Sequence, residues 1–335
     1  MKRLLALLLS ATMVLGFTGC GASSTGDTAK SDEKVPEVTI GTTSWPTNMF
    51  FYLANEKGFF DKEGVKVKIQ DFSSTTESTN AFVGGQIDFC TFASSETVAP
   101  YFQGGDIAVV LETDKSNGSE GLVAKSDIKS VKDLKSIATQ LYSVDHMFLL
   151  TLLAENGMTE KDVNIVDMSI QESGTAFVAG QCDAACIWDP YFSQAIASGG
   201  TKLYSSSDNP NLITDVLCTS NKLCEENPDV VEAVVRGFFD AVEYWKSNPD
   251  EANKFMGDKL GVGEEEFKKE IEGLIITDPS SVKTAFTPAE DYSYWGYTQN
   301  TIRDFMYELG VLKNKDKDCG DMINNTFVEK IAAEK

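Results

Sequence analysis

The segment AFVGGQIDF, residues 81–89, is repeated with few changes as AFVAGQCDA at residues 176–184. Six of the first eight positions are identical, whereas the residues that follow differ: CTFASSE after the first copy and ACIWDPY after the second. Because helix-to-strand turns recur in α/β proteins, chance is one explanation for the repeat. The explanation that we favour is a chain with two similar halves, each of which delivers its own loop to one shared place.

Strand-like and helix-like segments alternate on both sides of this repeat. EVTIGTTS, VKVKIQDF and IAVVLETD have the composition of strands, and TNMFFYLANEKGFFDKEG and DHMFLLTLLAENGM have that of helices. This alternation indicates an α/β fold with parallel or mixed sheets flanked by helices. Loops at the carboxyl ends of strands form ligand sites in such sheets, so FASSE and IWDPY would form two walls of one cleft between two lobes.

The first 19 residues have the features of a secretory signal peptide. Lys2 and Arg3 precede an apolar run from Leu4 to Phe17, and that run is shorter than the roughly 20 residues needed to span a bilayer. It ends in FTGC, which resembles the processing box of bacterial lipoproteins, although Phe17 stands where Leu is usual. We therefore expect Cys20 to be lipidated and residues 20–36 to form a flexible tether. The alternative is an ordinary signal peptide with an incidental Cys20.

The charge of the chain restricts its partners. The net charge is −22, and removal of the signal peptide with Lys2 and Arg3 makes it −24. A surface this acidic argues against nucleic acid or anionic lipid as a binding partner. We expect a monomer held at the bacterial cell membrane only by its lipid anchor.

The remaining six cysteines do not follow a metal-binding pattern. Cys182 and Cys186 are spaced more widely than a usual metal or redox pair, and the single histidine, His146, lies elsewhere in the chain. Several cysteines lie in apolar strand-like runs, which favours buried free thiols. A disulfide between Cys218 and Cys224 remains open. We predict neither a metal nor a cofactor.

The repeat belongs to a larger resemblance. FFYLANEKGFFDKEGVKV at 50–67, AFVGGQIDF at 81–89, SVKDLKSIA at 130–138, WDPYF at 188–192 and MINNTFVEK at 322–330 resemble the solute-binding proteins of ABC importers for sulfonates, taurine, nitrate and thiamine precursors. The resemblance covers nearly everything after Val38. It is specific to the superfamily and does not identify a solute.

The resemblance implies a two-lobed fold of the periplasmic-binding-protein type 2, with a ligand cleft between the lobes. Lobe one would comprise residues 37–122 and 219–335, and lobe two would comprise residues 123–218. The family's ligand loops correspond here to residues 44–48, 73–76, 93–96, 142–146 and 188–191. From these loops we select as candidate ligand contacts Ser44, Trp45, Asn48, Ser74, Ser94, Ser95, Tyr142, Ser143, Asp145, His146, Trp188, Asp189 and Tyr191.

The chemistry of these loops is acidic and aromatic. They contain no Lys or Arg, and they contain the carboxylates Glu96, Asp145 and Asp189. A dehydrated multiply charged anion would lack a basic partner there, so a ligand with a cationic or hydrogen-bond-donating end fits better. A single anionic group is still compatible with helix N-termini and hydroxyl donors. A zwitterion such as taurine would place its ammonium on Asp189.

Each aromatic or titratable candidate has a structural alternative. Trp188 would alternatively be a core residue, and Trp45 would alternatively pack beneath its own loop. Asp189 would cap the turn before a proline, Asp145 would act as a helix N-cap, and His146 would begin the same helix. The repeated acids Asp88 and Asp183 precede the variable loops, and we expect them to be structural.

Three functions fit these observations to different degrees. The leading hypothesis is a lipid-anchored, extracytoplasmic receptor of an ABC importer, whose partners are a small solute and the permease–ATPase complex. Its solute would be taurine or another aliphatic sulfonate, or alternatively a thiamine-precursor pyrimidine or other heteroaromatic compound. A sensor that presents a solute to a signalling receptor is a second hypothesis. An enzyme on the same scaffold is the third hypothesis. The related enzymes are cytoplasmic, whereas the signal peptide would export this protein, and a nucleophile–base pair is hard to build with a single histidine. We therefore expect no catalysis.

Overall fold

The computed structural model describes residues 35–334, so the expected signal peptide and Cys20 lie outside the described residues. Eleven strands form two sheets within residues 35–334. In chain order the strands are β1 Glu37–Thr42, β2 Lys66–Asp71, β3 Phe89–Ala93, β4 Ala108–Ser116, β5 Glu120–Ala124, β6 Ser136–Thr139, β7 Asn164–Asp167, β8 Ala184–Trp188, β9 Thr201–Ser205, β10 Thr214–Thr219 and β11 Leu274–Ile276.

Helices surround both sheets. In chain order they are α1 Met49–Glu56, α2 Phe59–Lys62, α3 Thr75–Val83, α4 Val98–Phe102, α5 Val144–Glu155, α6 Ile170–Val178, α7 Tyr191–Ala197, α8 Asn221–Glu226, α9 Pro228–Ser247, α10 Pro249–Leu260, α11 Glu264–Glu272, α12 Pro279–Ala285, α13 Trp295–Glu308 and α14 Thr326–Ala333. The expected α/β class is confirmed. The first predicted helix is interrupted at Gly58, whose φ of 68° is left-handed and ends α1 before α2 begins.

The two sheets have the same plan. The first has the order β2-β1-β3-β10-β4-β11, and the second has the order β7-β6-β8-β5-β9. In each sheet the first three strands are parallel, and the fourth strand runs antiparallel to both of its neighbours. Because β3 and β8, which follow the repeated segments, both occupy the third position, the two similar halves predicted from the repeat are confirmed.

The repeated segment has the same local structure in both halves. A helix, α3 or α6, ends in a glycine with positive φ, Gly85 or Gly180, which turns the chain into β3 or β8. The repeated acids are structural, as predicted. The Asp88 carboxylate accepts the Thr39 backbone N–H at 2.7 Å, and the Asp183 carboxylate accepts that of Ser136 at 3.3 Å. Each acid therefore ties the start of its strand to the neighbouring parallel strand.

Two chain segments connect the sheets. The chain leaves β4 for β5 through residues 117–119 and returns from β9 to β10 through residues 206–213. The two crossings are joined by the Ser206 hydroxyl, which lies 2.7 Å from the Ser116 hydroxyl and accepts the Gly118 backbone N–H at 2.8 Å. The lobe boundaries expected after residues 122 and 218 fall inside β5 and β10, so strand membership places the crossings a few residues earlier. The bounds of the lobes as moving units stay a prediction.

The larger core unites the first sheet with the C-terminal helices. Phe50 and Phe51 on α1 pack against Phe238 on α9, with ring centroids 5.9 and 5.1 Å apart. The apolar face of α9 thereby covers residues nearly 190 positions earlier in the chain. The cysteines of residues 35–334 are all buried and free, and Cys218 lies opposite Cys90 across β10 and β3 rather than bonded to Cys224.

Candidate functional site

A cavity of about 210 Å³ lies between the two sheets, at the carboxyl ends of β1, β3 and β8. This is the position at which open α/β sheets bind ligands. Both sheets and the segments between them contribute side chains to the cavity. Its lining residues are Thr43, Ser44, Trp45, Asn48, Thr75, Thr91, Phe92, Ala93, Glu96, Asp114, Ser116, Glu120, Val144, Trp188, Ile213 and Asp215.

The loop after β1 supplies three of the predicted contacts. Ser44 is exposed, Trp45 is half-buried and Asn48 is buried, and all three line the cavity. The Asn48 side-chain amide donates to the Thr43 carbonyl oxygen at 3.0 Å, which holds the loop in a closed turn. The Trp45 indole N–H has no hydrogen-bond partner among the described residues. It nevertheless lies close enough to the Asp114 carboxyl to offset part of the rise that burial causes in the pKa of that acid.

The second sheet supplies an aromatic wall. Trp188 is the last residue of β8, is half-buried and lines the cavity, as predicted from its position before DPY. In the antiparallel pairing of β8 with β5, Trp188 lies directly opposite Glu120. An indole ring and a carboxylate consequently stand side by side on the same wall.

Four carboxylic acids line the cavity. Asp114 on β4 and Glu120 on β5 are only 1% and 3% exposed, Asp215 on β10 is half-buried, and Glu96 follows β3. Burial raises the pKa of Asp114 to about 6 and that of Glu120 to about 8. Burial also raises the pKa of Glu96 and of Asp215, and the charges of the other cavity acids raise that of Asp215 further.

No basic side chain balances these acids within residues 35–334. Neither Lys nor Arg lines the cavity. Lys115, the neighbour of Asp114 in sequence, donates to Asn211 at 2.7 Å and lies 3.4 Å from Glu112. Arg236 is held by Glu232 and Glu334, and Arg303 pairs with Asp304. The acidic, lysine-free and arginine-free character predicted for the loops thus extends to the cavity.

Several predicted contacts have structural roles away from the cavity. Ser74 and Ser143 are the N-caps of α3 and α5, where their hydroxyls accept backbone N–H groups of Glu77 and His146. Ser94 is buried and accepts the Gln299 side-chain amide at 2.9 Å. The hydroxyls of Ser74 and Ser143 thus serve helix starts in this structure, and their roles as ligand contacts stay predictions.

Asp145 and His146 lie within the first turn of α5, and neither lines the cavity. Asp145 is fully buried, is not the N-cap that we considered, and has two oxygens without hydrogen-bond partners among the described residues. Burial raises its pKa, and the nearby Glu120 charge adds to that rise. The His146 Nδ1 atom accepts the Tyr142 backbone N–H at 3.2 Å, and burial lowers the pKa of this histidine to about 4. The His146 ring therefore holds the backbone of the loop that precedes α5.

The remaining candidates lie beside the cavity or farther from it. Tyr142 is 58% exposed and has a left-handed φ of 64°. Asp189 accepts the Ser193 backbone N–H, in the first turn of α7, at 2.8 Å. Tyr191 packs against Gly174, and Ser95 lines a separate small cavity beside α5. An ammonium partner role for Asp189 stays a prediction.

The sequence reasoning missed Asp114, Glu120 and Asp215 as cavity residues. Each lies in or at the end of an apolar strand, in the runs VVLETD, EGLVA and ITDVLC. Acids inside otherwise buried strands are uncommon unless they are paired or functional, so this pattern was the available signal.

Within residues 35–334 the structure contains no group of three or more His, Cys, Asp or Glu side chains arranged to hold a metal ion. In the same range, no helix combines the length and apolarity that a membrane crossing requires.

Comparison with known proteins identifies relatives over the whole chain. A Bacillus subtilis protein provisionally named an aliphatic sulfonates-binding protein is 28% identical over 345 aligned positions, which cover 100% of this chain and 98% of the relative. The crystal structure of the periplasmic aliphatic sulphonate binding protein SsuA from Escherichia coli matches with a TM-score of 0.71 and 20% identity, over 85% of this chain and 91% of that chain. The desulfurization enzyme DSZB shares the fold at a TM-score of 0.61 and 14% identity, over 90% of this chain and 100% of that chain.

The fold is therefore the periplasmic-binding-protein fold, which also occurs in an enzyme. The family model described as NMT1/THI5 like matches residues 45–252, the stretch that contains the repeated segments, Trp45, Trp188 and the four cavity acids. By this match the chain belongs to the NMT1/THI5-like family.

Proposed function

We propose that the chain is the solute-binding component of an ABC importer, anchored outside the cytoplasm through Cys20. The observation that carries the proposal is the cavity of about 210 Å³ whose walls come from both sheets. A molecule of small organic size fills such a space, and contacts to both sheets would favour a closed state of the two lobes. The closed, loaded form would then dock on a permease and its ATPase.

The names of the relatives favour a sulfonate as the solute. The Bacillus subtilis protein is named for aliphatic sulfonates, and a taurine-binding periplasmic protein of Escherichia coli is a further relative at 29% identity. Taurine would place its ammonium near the cavity acids and its sulfonate near the Thr91 hydroxyl, which lacks a partner among the described residues. Taurine or an aliphatic sulfonate is accordingly the first solute class to test.

A heteroaromatic vitamin precursor is the second candidate. Trp45 and Trp188 stand on different walls of the cavity, from the loop after β1 and the end of β8. Two indoles placed in this way suit a flat ring between them. An amino-substituted hydroxymethylpyrimidine would donate its exocyclic amino and hydroxyl hydrogens to the carboxylates and present its ring faces to the indoles.

An enzyme on this fold is the alternative from a different class. The cavity lining contains no His, Cys or Lys, and His146 is buried with its Nδ1 atom engaged by the Tyr142 backbone. The cavity lining therefore offers no imidazole, thiol or amine for nucleophilic catalysis. We propose binding and release without chemical change of the solute.

Two measurements test the receptor proposal. Deletion of the gene should abolish high-affinity uptake of one solute, and a plasmid copy should restore it. Thermal unfolding of the purified full-length chain should shift upward with that same solute, because a ligand at 100 times its dissociation constant adds about 2.7 kcal/mol. Unimpaired uptake of every solute in a panel of sulfonates, pyrimidines, flavins and amines would overturn the proposal. Conversion of the solute by the purified protein would instead favour the enzyme.

A further inference from the structure

Three of the four cavity acids lie on strands that directly precede or follow the two crossings between the sheets. Asp114 lies near the end of β4, Glu120 begins β5 and Asp215 lies near the start of β10. These are the strands on either side of the two crossings. The acids are therefore built into the framework at the junction of the lobes and are not located on an exposed, adaptable loop.

Their arrangement leaves the negative charge uncompensated. Asp114 and Asp215 are direct partners in the antiparallel pairing of β4 and β10, a placement that is unfavourable for two carboxylates. Glu120 is 3% exposed, lines the cavity and has one oxygen, Oε2, without a hydrogen-bond partner within residues 35–334. The Glu96 Oε2 atom is also unpartnered. A buried carboxylate oxygen without a donor is costly, so these atoms indicate a donor that arrives with the ligand.

We propose, resting on the receptor function above and departing from the solute that the names of the relatives suggest, that the solute is an organic cation with N–H donors and without an acidic group, such as a protonated amine, amidine or guanidine. The cation would lie between the oxygens of Asp114, Glu120 and Asp215, and its carbon skeleton would contact Trp45 and Trp188.

The lining residues distinguish this class from its competitors. A sulfonate anion would face four carboxylic acids in a cavity lining that contains neither Lys nor Arg to balance them. A quaternary ammonium satisfies the charge and the indole faces but supplies no N–H to the unpartnered oxygens. A bare metal ion requires closely arranged ligands, and the described residues contain no such group. The indole of Trp188 beside the Glu120 carboxylate suits an N–H cation, because the ring face and the carboxylate both attract positive charge.

Isothermal titration calorimetry at pH 8 on the purified full-length chain tests the proposal with five probes. Putrescine and agmatine are N–H cations, choline is a cation without N–H, taurine is a zwitterion, and ethanesulfonate is an anion. We expect putrescine or agmatine to bind more tightly than the other three. Asp215→Asn and Glu120→Gln should each weaken that binding by about tenfold or more. Asp127→Asn, which removes the same charge from an exposed loop beyond the other end of β5, should leave it unchanged.

Each other outcome contradicts part of the proposal in a distinguishable way. Binding of taurine or ethanesulfonate without binding of the amines would overturn the cation class and leave the receptor function standing. Choline binding as tightly as the amines would overturn the role of the N–H donors. If no amine binds, the inference is wrong, and the receptor function is then judged by the uptake experiment alone. Because both tested substitutions preserve side-chain shape, melting temperatures of the variants at or above that of wild type would show that any lost affinity is not a loss of folding.

Discussion

Asp114 and Asp215 lie directly opposite each other on the antiparallel strands β4 and β10, although they are 101 residues apart in the chain. Asp215 also lies opposite Ala93, the last residue of β3. The three strands thus bring two carboxyl groups and the start of the Ala93–Glu96 loop to one wall of the cavity. Replacing either aspartate tests whether the unliganded protein is destabilised by this pair.

Asp215→Asn should stabilise the unliganded protein at pH 8. The substitution removes a carboxyl group whose pKa is raised by burial and by Asp114, and each unit of raised pKa represents about 1.4 kcal/mol at high pH. We expect a higher free energy of unfolding than that of wild type, measured with urea. At pH 4 the gain should disappear, because the carboxyl is then protonated in wild type. An equal gain in Asp127→Asn would show that the effect comes from net charge alone.

The stability of the wild-type protein should fall as the pH rises from about 6.5 to about 8. Burial raises the pKa of Glu112 to about 7 and that of Glu120 to about 8, so in this range the native state binds more protons than the unfolded state and stability decreases with pH. Between pH 4 and 6.5 the lowered pKa of His146 opposes the trend, because this buried histidine resists protonation. The charged groups that bear on these three are Asp114 and Lys115 for Glu112, Asp167 for His146, and the acids Asp114, Asp145, Asp189 and Asp215 for Glu120.

Urea unfolding at pH 6.5, 7.2 and 8.0, at constant ionic strength, measures this slope. Glu120→Gln should flatten the decline, because the variant lacks one of the groups that lose a proton in the range. A stability that rises steadily from pH 6.5 to 8 would contradict the raised pKa values of the buried acids.

Trp188→Ala should weaken solute binding by about tenfold or more, because a buried aromatic contact contributes on the order of 1.5–3 kcal/mol. Trp188 is half-buried at the end of β8, so the melting temperature should change little. Calorimetry with the solute found in the panel measures the affinity, and circular dichroism measures the melting temperature. Tyr307→Ala on α13 removes an exposed aromatic ring elsewhere and is the matched control. An unchanged affinity in Trp188→Ala would show that this indole does not contact the solute.

Gly121→Ala should destabilise the protein by about 1–3 kcal/mol through overpacking. Gly121 is the second residue of β5, and an added methyl group would collide with the Tyr204 carbonyl oxygen and the Phe192 ring. Chemical unfolding measures the loss. Lys202→Ala, on the exposed side of the neighbouring strand β9, should stay within about 0.5 kcal/mol of wild type. A Gly121→Ala protein as stable as wild type would mean that β5 can shift away from β9.

Cys20→Ala should release the protein from the membrane. The prediction rests on the sequence FTGC at residues 17–20, which lies outside the described residues. Loss of the lipidated thiol leaves a chain without its expected anchor. Fractionation followed by immunoblotting should move the variant from the membrane pellet to the soluble fraction, whereas Cys319→Ala should remain in the pellet. A Cys20→Ala protein that still sediments with membranes would argue for an uncleaved signal segment or a second anchor.

Much of the fold followed from local sequence patterns. The repeated AFV segments, their glycine turns and the alternation of strands with helices predicted two similar α/β halves, and the two sheets have one strand order. The helix predicted for DHMFLLTLLAENGM is observed as α5 Val144–Glu155. These features depend on residues close in the chain, which is why periodicity and turn chemistry indicate them. Local reasoning also placed Trp188 at a strand end, and the family resemblance placed Trp45 in a ligand loop; both residues line the cavity.

The sequence by itself determined which segments form strands, which loops leave their carboxyl ends, and that those loops are acidic, aromatic and free of Lys and Arg. Only the tertiary structure decided which side chains meet. The register of β4 against β10 brings Asp114 to Asp215, and that of β5 against β8 brings Glu120 to Trp188. A register between distant strands is determined by the packing of whole sheets, and a shift of one residue would turn these acids to the opposite face. The cavity is consequently a property of the paired strands and not of any single loop.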